Sequence, residues 1–182
     1  MRASLRWFTL MIFTLLPHVA GAQSLCPWLN QATASGALGV DVTMHVTLLP
    51  QSPHLARLPQ SSYPVSDPRP NGMCEFTTHD QRSTLRIKVA TMTHPKKEYA
   101  AAIRSSCPGT SRSLIGVGNQ AIACSSPSNG GTEDRVVAYV RNRLMVLRCS
   151  HPPMESVHWQ GSDVTSDAVV QAIAEQIAGS MY

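Results

Sequence analysis

The residues best suited to chemistry gather at Cys149-Ser150-His151-Pro152-Pro153-Met154, with His158 a little beyond. A thiolate, an imidazole and a thioether together suit copper. On a strand, positions 149 and 151 point to one face. Cys149, His151 and Met154 could thus share an ion, with His45 as a distant fourth ligand. The Cys149–His151 spacing is tight for such a site. The plainer reading is a buried cysteine followed by a surface Pro-Pro turn, so copper binding is held as an alternative.

Two other patterns invite a chemical reading. Gly116-Val117-Gly118-Asn119-Gln120-Ala121 fits the dinucleotide pattern G-x-G-x-x-A. That chemistry needs a strand before the glycines and a helix after them, so that the pyrophosphate meets a helix N-terminus. Here a short strand and a Ser/Pro/Gly turn follow, which makes these turn glycines. Serine catalysis needs a nucleophile beside a histidine and an oxyanion hole. No G-x-S-x-G is present, and Gly109-Thr110-Ser111-Arg112-Ser113 matches it only superficially. A secreted hydrolase is the second alternative. No H-E-x-x-H, phosphate loop or Asp-rich calcium loop occurs, so no catalytic residue, cofactor or metal set is assigned.

These residues must be positioned by elements that the hydrophobic pattern makes visible. Pro27 suits a first helical position and Gly36 an end, giving a short helix over about 27–35. Val40, Val42, Met44, Val46 and Leu48 alternate with polar residues and predict a strand. Residues 50–73 contain six prolines and predict a long extended loop. Residues 74–79 and 84–92 predict a hairpin, with Leu85, Ile87 and Val89 facing in.

Pro95 opens a second helix with Tyr99, Ala102 and Ile103 on its buried stripe. A short strand follows near 120–125. Residues 135–141 and 144–150 predict another hairpin bending at Asn142-Arg143. It places Val136, Ala138 and Val140 on the face of Met145, Leu147 and Cys149. The last helix starts at Ser166, read as its N-cap, and buries Val169, Val170, Ile173, Ala174 and Ile177. The order is helix-βββ-helix-βββ-helix: an α+β fold with an antiparallel sheet of about six strands and helices packed on it.

The chain has 182 residues, 43% of them hydrophobic and only 14% charged, which supports one globular domain over residues 23–182. Arg2 and Arg6, the apolar run Trp7–Leu16 and Ala20-Gly21-Ala22 read as a signal peptide over 1–22. No other stretch approaches the ~18 apolar residues of a transmembrane span. Removing the signal takes two arginines and no acid from 15 basic and 11 acidic residues, leaving a net charge of +2. Without a Lys/Arg block, that balance gives no footprint for nucleic acid. Arg86 and Lys88, and Arg141, Arg143 and Arg148, are read as solvated sheet faces. Export makes disulfides the first expectation for Cys26, Cys74, Cys107, Cys124 and Cys149, with one thiol left over and connectivity open.

A resemblance bears on that connectivity. Cys26-Pro27-Trp28-Leu29 leads into Ala37-Leu38-Gly39. Cys74-Glu75-Phe76, Gly116-Val117-Gly118-Asn119-Gln120-Ala121 and an Ala/Ile-rich terminal helix follow. Over most of residues 26–181 this resembles the small secreted or lipid-anchored bacterial proteins grouped as domain of unknown function 3558. The chain departs from them in lacking a lipidated cysteine and in having Phe76 where Cys-x-Trp is usual. The resemblance implies a Cys26–Cys74 disulfide and a cell-envelope protein without established catalytic residues. Cys107–Cys124 is then the second pairing, with Cys149 a buried thiol. The expectation is an exported, secreted or periplasmic, non-enzymatic protein that binds a protein or envelope component.

Overall fold

A computed structural model describes residues 25–49, 71–128, 130–152, 157–159 and 162–182. The signal segment, Met154 and most of the proline-rich stretch lie outside the described residues. The elements are α1 (Gln31–Leu38), β1 (Val42–Leu49), β2 (Asn71–Thr78), β3 (Thr84–Thr91), α2 (Pro95–Ser106) and β4 (Arg112–Leu114). Then come β5 (Gln120–Ser128), β6 (Gly131–Val140), β7 (Arg143–His151), β8 (Val157–Trp159), β9 (Ser162–Val164) and α3 (Ser166–Ser180). The fold is α+β. Its main sheet has seven antiparallel strands in the order β1-β2-β3-β7-β6-β5-β4, and β8 and β9 form a separate hairpin.

This corrects the expected six strands and their order. β4, β8 and β9 are three residues each, too short to show a period. β2 begins at Asn71, so the last three residues of the expected 50–73 loop belong to the sheet.

α1 starts four residues later than Pro27 suggests, because Asn30 is the cap: its side chain accepts from the Thr33 N–H at 2.7 Å. Trp28 and Leu29 are buried ahead of the helix rather than on it. In α3 the cap is Thr165, not Ser166, and its hydroxyl accepts from the Ala168 N–H. The β6–β7 bend falls one residue earlier than expected, and Arg141 takes the positive φ of 57°. Beyond that bend Ala138 opposes Met145 and Val136 opposes Leu147.

The sheet carries helices on both faces. α1 and α3 cover one face, where Phe76, Leu85, Ile87, Met145, Leu147, Ile173 and Ile177 are fully buried. Each such side chain contributes about 1.5–3 kcal/mol by leaving water. α2 covers part of the other face with Tyr99, packed edge-on to Tyr139 and against Val137. β6 is roofed on both sides, which is why Val136, Val137 and Ala138 are all buried in succession.

Two disulfides tie the layers together. Cys26–Cys74 joins the segment before α1 to β2, with Cα atoms 5.9 Å apart. Cys107–Cys124 joins the end of α2 to β5 at 5.7 Å. Among the described residues no helix is long and apolar enough to cross a membrane.

Candidate functional site

Strand alternation places Cys149 and His151 together on the face covered by α3, as the sequence suggests. Their nearest polar neighbours in the fold are Asp134 and, through it, Ser125. The β6–β7 register sets Asp134 opposite Cys149, and the β5–β6 register sets Ser125 opposite Asp134. His151 Nε2 lies 3.0 Å from Asp134 Oδ2, and Nδ1 lies 2.8 Å from the Pro152 carbonyl oxygen. Both neighbours accept, so the protonated ring can donate from both nitrogens. The bond to Asp134 raises the His151 pKa against the opposing effect of burial. For Asp134, burial pushes the pKa up, but bonds from His151, Ser125 and Ser166 outweigh it and hold the carboxyl low.

A serine, a histidine and an aspartate therefore meet here, in an order unsuited to hydrolysis. A relay needs the imidazole between hydroxyl and carboxylate. Ser125 Oγ instead donates directly to Asp134 Oδ1 at 2.5 Å, so the imidazole does not face the hydroxyl. The adjoining void is about 20 Å³, room for about one water. Burial, followed by the Asp134 charge, pushes the Cys149 thiol up to about 12. A thiol held protonated is a poor nucleophile. His45 is exposed and opposes Glu75, on the sheet face turned away from Cys149. Met154 is outside the described residues. Among the described residues no three His, Cys, Asp or Glu side chains are grouped to hold a metal.

The glycine motif is the turn between β4 and β5. Gly116 and Gly118 have φ of 87° and 63°, and a Cβ at Gly118 would meet Val140 Cγ2 at 2.6 Å. These glycines serve a tight turn under β6, and strand β5 follows them in place of a helix.

The arrangement with room for a ligand lies on the other face. α2 covers β5, β6 and part of β7 but leaves β3 and β2 open. Between them runs a groove of about 410 Å³, within the range of small-molecule sites. Arg86, Lys88 and Arg148 line it, with Ser105 and Ser106 from α2. Its remaining lining is apolar: Met73, Ala90 and Val146 from the sheet, Leu144 beside them, and Ala102 from the helix.

The register explains the charge. Glu75, Arg86, Arg148, Arg135 and Cys124 sit opposite one another in turn across β2, β3, β7, β6 and β5. Three arginines on three neighbouring strands face each other directly, an arrangement that costs stability unless countered. Arg86 Nη2 binds Glu75 at 2.5 Å, and Arg135 Nη2 binds Glu133 at 2.5 Å. Arg135 also donates to the Ser106 carbonyl at 2.7 Å, satisfying the negative end of α2. Among the described residues Arg148 reaches a carboxylate only at Glu133 Oε1, at 4.0 Å, while its side chain is 43% exposed. Lys88 faces Met73 and Val146 across the strands. Among the described residues, four cations thus meet two carboxylates, and Arg148 and Lys88 line the groove without a close carboxylate.

The sequence reading picks out Arg86, Lys88 and Arg148 but not Arg135, and it groups Arg141 and Arg143 with Arg148. Arg143 is not solvated: it is 2% exposed and donates to Asn71 Oδ1 at 3.2 Å. Alternation along β7 already separates Arg143, on the face of Met145, from Arg148. Arg141 is exposed at the bend and lies 4.9 Å over the Tyr182 ring. The Arg86–Arg148 pairing needs the long-range register and has no local signal. No family model matches the chain, and no curated protein matches it.

Proposed function

We propose that this chain is an exported, non-enzymatic binding module of the bacterial cell envelope, and that the α2–β3 groove holds an anionic group of its ligand. One observation carries this reading. Arg86 and Arg148 stand directly opposed beside a groove of about 410 Å³, with Lys88 next to them and, among the described residues, too few carboxylates to neutralise the set. A bound anion offsets the like-charge cost of that row. Two disulfides suit an oxidising compartment. The basic-then-apolar N-terminal segment and the resemblance to the domain of unknown function 3558 proteins supply the envelope setting.

Thermal unfolding of the full chain in inorganic phosphate, with sodium chloride matching the ionic strength in the control, tests the reading. Phosphate should raise Tm for wild type and not for Arg148→Gln. Equal response in the two proteins, or none in either, removes the groove as an anion site. Sequencing the N-terminus of the protein recovered outside the cytosol checks export: the first residue should lie near Gln23.

A further inference from the structure

We infer that the groove recognises an amphipathic oxyanion: a carboxylate or phosphate head at the Arg86–Arg148 end and an apolar chain running toward Ala90 and Leu144. This rests on the anion-binding reading above and deepens it. The strands lay out polarity along the groove rather than mixing it. Going down β3 and up β7, the opposed pairs are Arg86–Arg148, then Lys88–Val146, then Ala90–Leu144. Charge is complete at one end, halved in the middle and absent at the other.

The span from the first pair to the third is roughly 13 Å, from four residues of strand rise. α2 repeats the gradient. Its end, at Ser105 and Ser106, meets the arginine row, because Arg135 bonds the Ser106 carbonyl and Cys107 is tied to Cys124. Ala102, one turn earlier, lies toward the apolar end. A small inorganic anion would use only the first pair and leave the half-buried apolar stretch wet. A large hydrophilic anion would meet an apolar lining past Lys88, formed among the described residues by Ala90, Leu144 and Ala102. A head with an apolar tail satisfies both ends.

Calorimetric titration of the full chain separates the possibilities. The probes are octanoate, octyl phosphate, acetate, inorganic phosphate and octanol, all kept at monomeric concentrations. At least one octyl oxyanion should bind about tenfold or more tightly than its short counterpart, because several methylenes leave water. Whichever head is preferred identifies carboxylate or phosphate as the chemistry. Octanol should bind far more weakly than either. Arg148→Gln should weaken the short and long anions alike. Ala90→Leu, which narrows the apolar end, should weaken only the octyl compounds.

If octyl and short anions bind equally and both fail with Arg148→Gln, the anion site stands and the amphipathic inference is overturned. If octanol matches octanoate, the head contact is refuted. If no anion of either length binds, this inference and the anion-binding reading fall together. Octyl binding unchanged in both variants places the site elsewhere and overturns the inference.

Discussion

Replacing Asp134 with Asn tests the buried network that joins β5, β6 and β7 to the start of α3. Asp134 is 4% exposed, and His151 is 8% exposed. The substitution keeps the shape and removes the charge. It leaves the His151 imidazolium without its counter-ion and weakens the bond from Ser125. Removing one partner of a buried pair costs about 3–5 kcal/mol. His151 can escape part of this by losing its proton, so the expected loss is near the lower limit, about 3 kcal/mol. For a chain of this length that is a fall of roughly 6–12 °C in Tm.

The pH dependence gives the sharper test. His151 has its folded pKa raised above the ordinary 6.5. Its contribution is complete below that value and fades as pH rises through the raised one. Asp134 has its folded pKa lowered below 3.8. Its contribution is complete above 3.8 and fades as pH falls through the lowered one. The stability gap between wild type and Asp134→Asn should therefore be widest between those ordinary values. It should shrink at alkaline pH, where a neutral imidazole keeps only its hydrogen bond. Urea unfolding followed by circular dichroism at about pH 5.5 and about pH 9 measures both points. A gap under about 1 kcal/mol at the lower pH, or the same gap at both, refutes the ion-pair account.

The disulfides and the thiol give two further expectations. Cys26–Cys74 closes a separation of 48 residues, so the Cys26→Ala/Cys74→Ala variant should lose about 4 kcal/mol in urea unfolding on the chain-entropy estimate. Cys107–Cys124, at a separation of 17, should be worth about 3 kcal/mol on the same estimate, and equal losses well under 1 kcal/mol would show that neither loop restrains the unfolded chain. Cys149 is buried with its thiol pushed up to about 12; iodoacetamide should leave the native protein unlabelled and label one cysteine per chain after denaturation without reductant, as mass spectrometry would read.

Much of the fold was legible because its long strands are patterned one residue at a time. Val42, Met44, Val46 and Leu48 mark β1, and Leu85, Ile87 and Val89 mark β3. Met145, Leu147 and Cys149 mark β7, and the stripe from Val169 to Ile177 marks α3. Signals confined to one residue served less well. Asn30 and Thr165 took the capping roles that the helix reading placed elsewhere, because a cap is decided by which hydroxyl or amide reaches a free N–H. Three-residue strands gave no pattern to read.

The sequence by itself determined an α+β chain with its buried faces, most of its turns, and five cysteines, an odd number that leaves one thiol unpaired. Those features arise from side-chain period and backbone preference, which act over a few residues. Tertiary structure alone decided what the polar groups do. Arg86 and Arg148 are 62 positions apart and meet only because β7 pairs with β3. Asp134 collects His151 and Ser125 only because β5, β6 and β7 lie side by side. Which face α2 roofs, and how much of the other half it leaves open, follows from burying Tyr99 against Val137. That contact is long-range burial, and no local pattern encodes the groove it leaves behind.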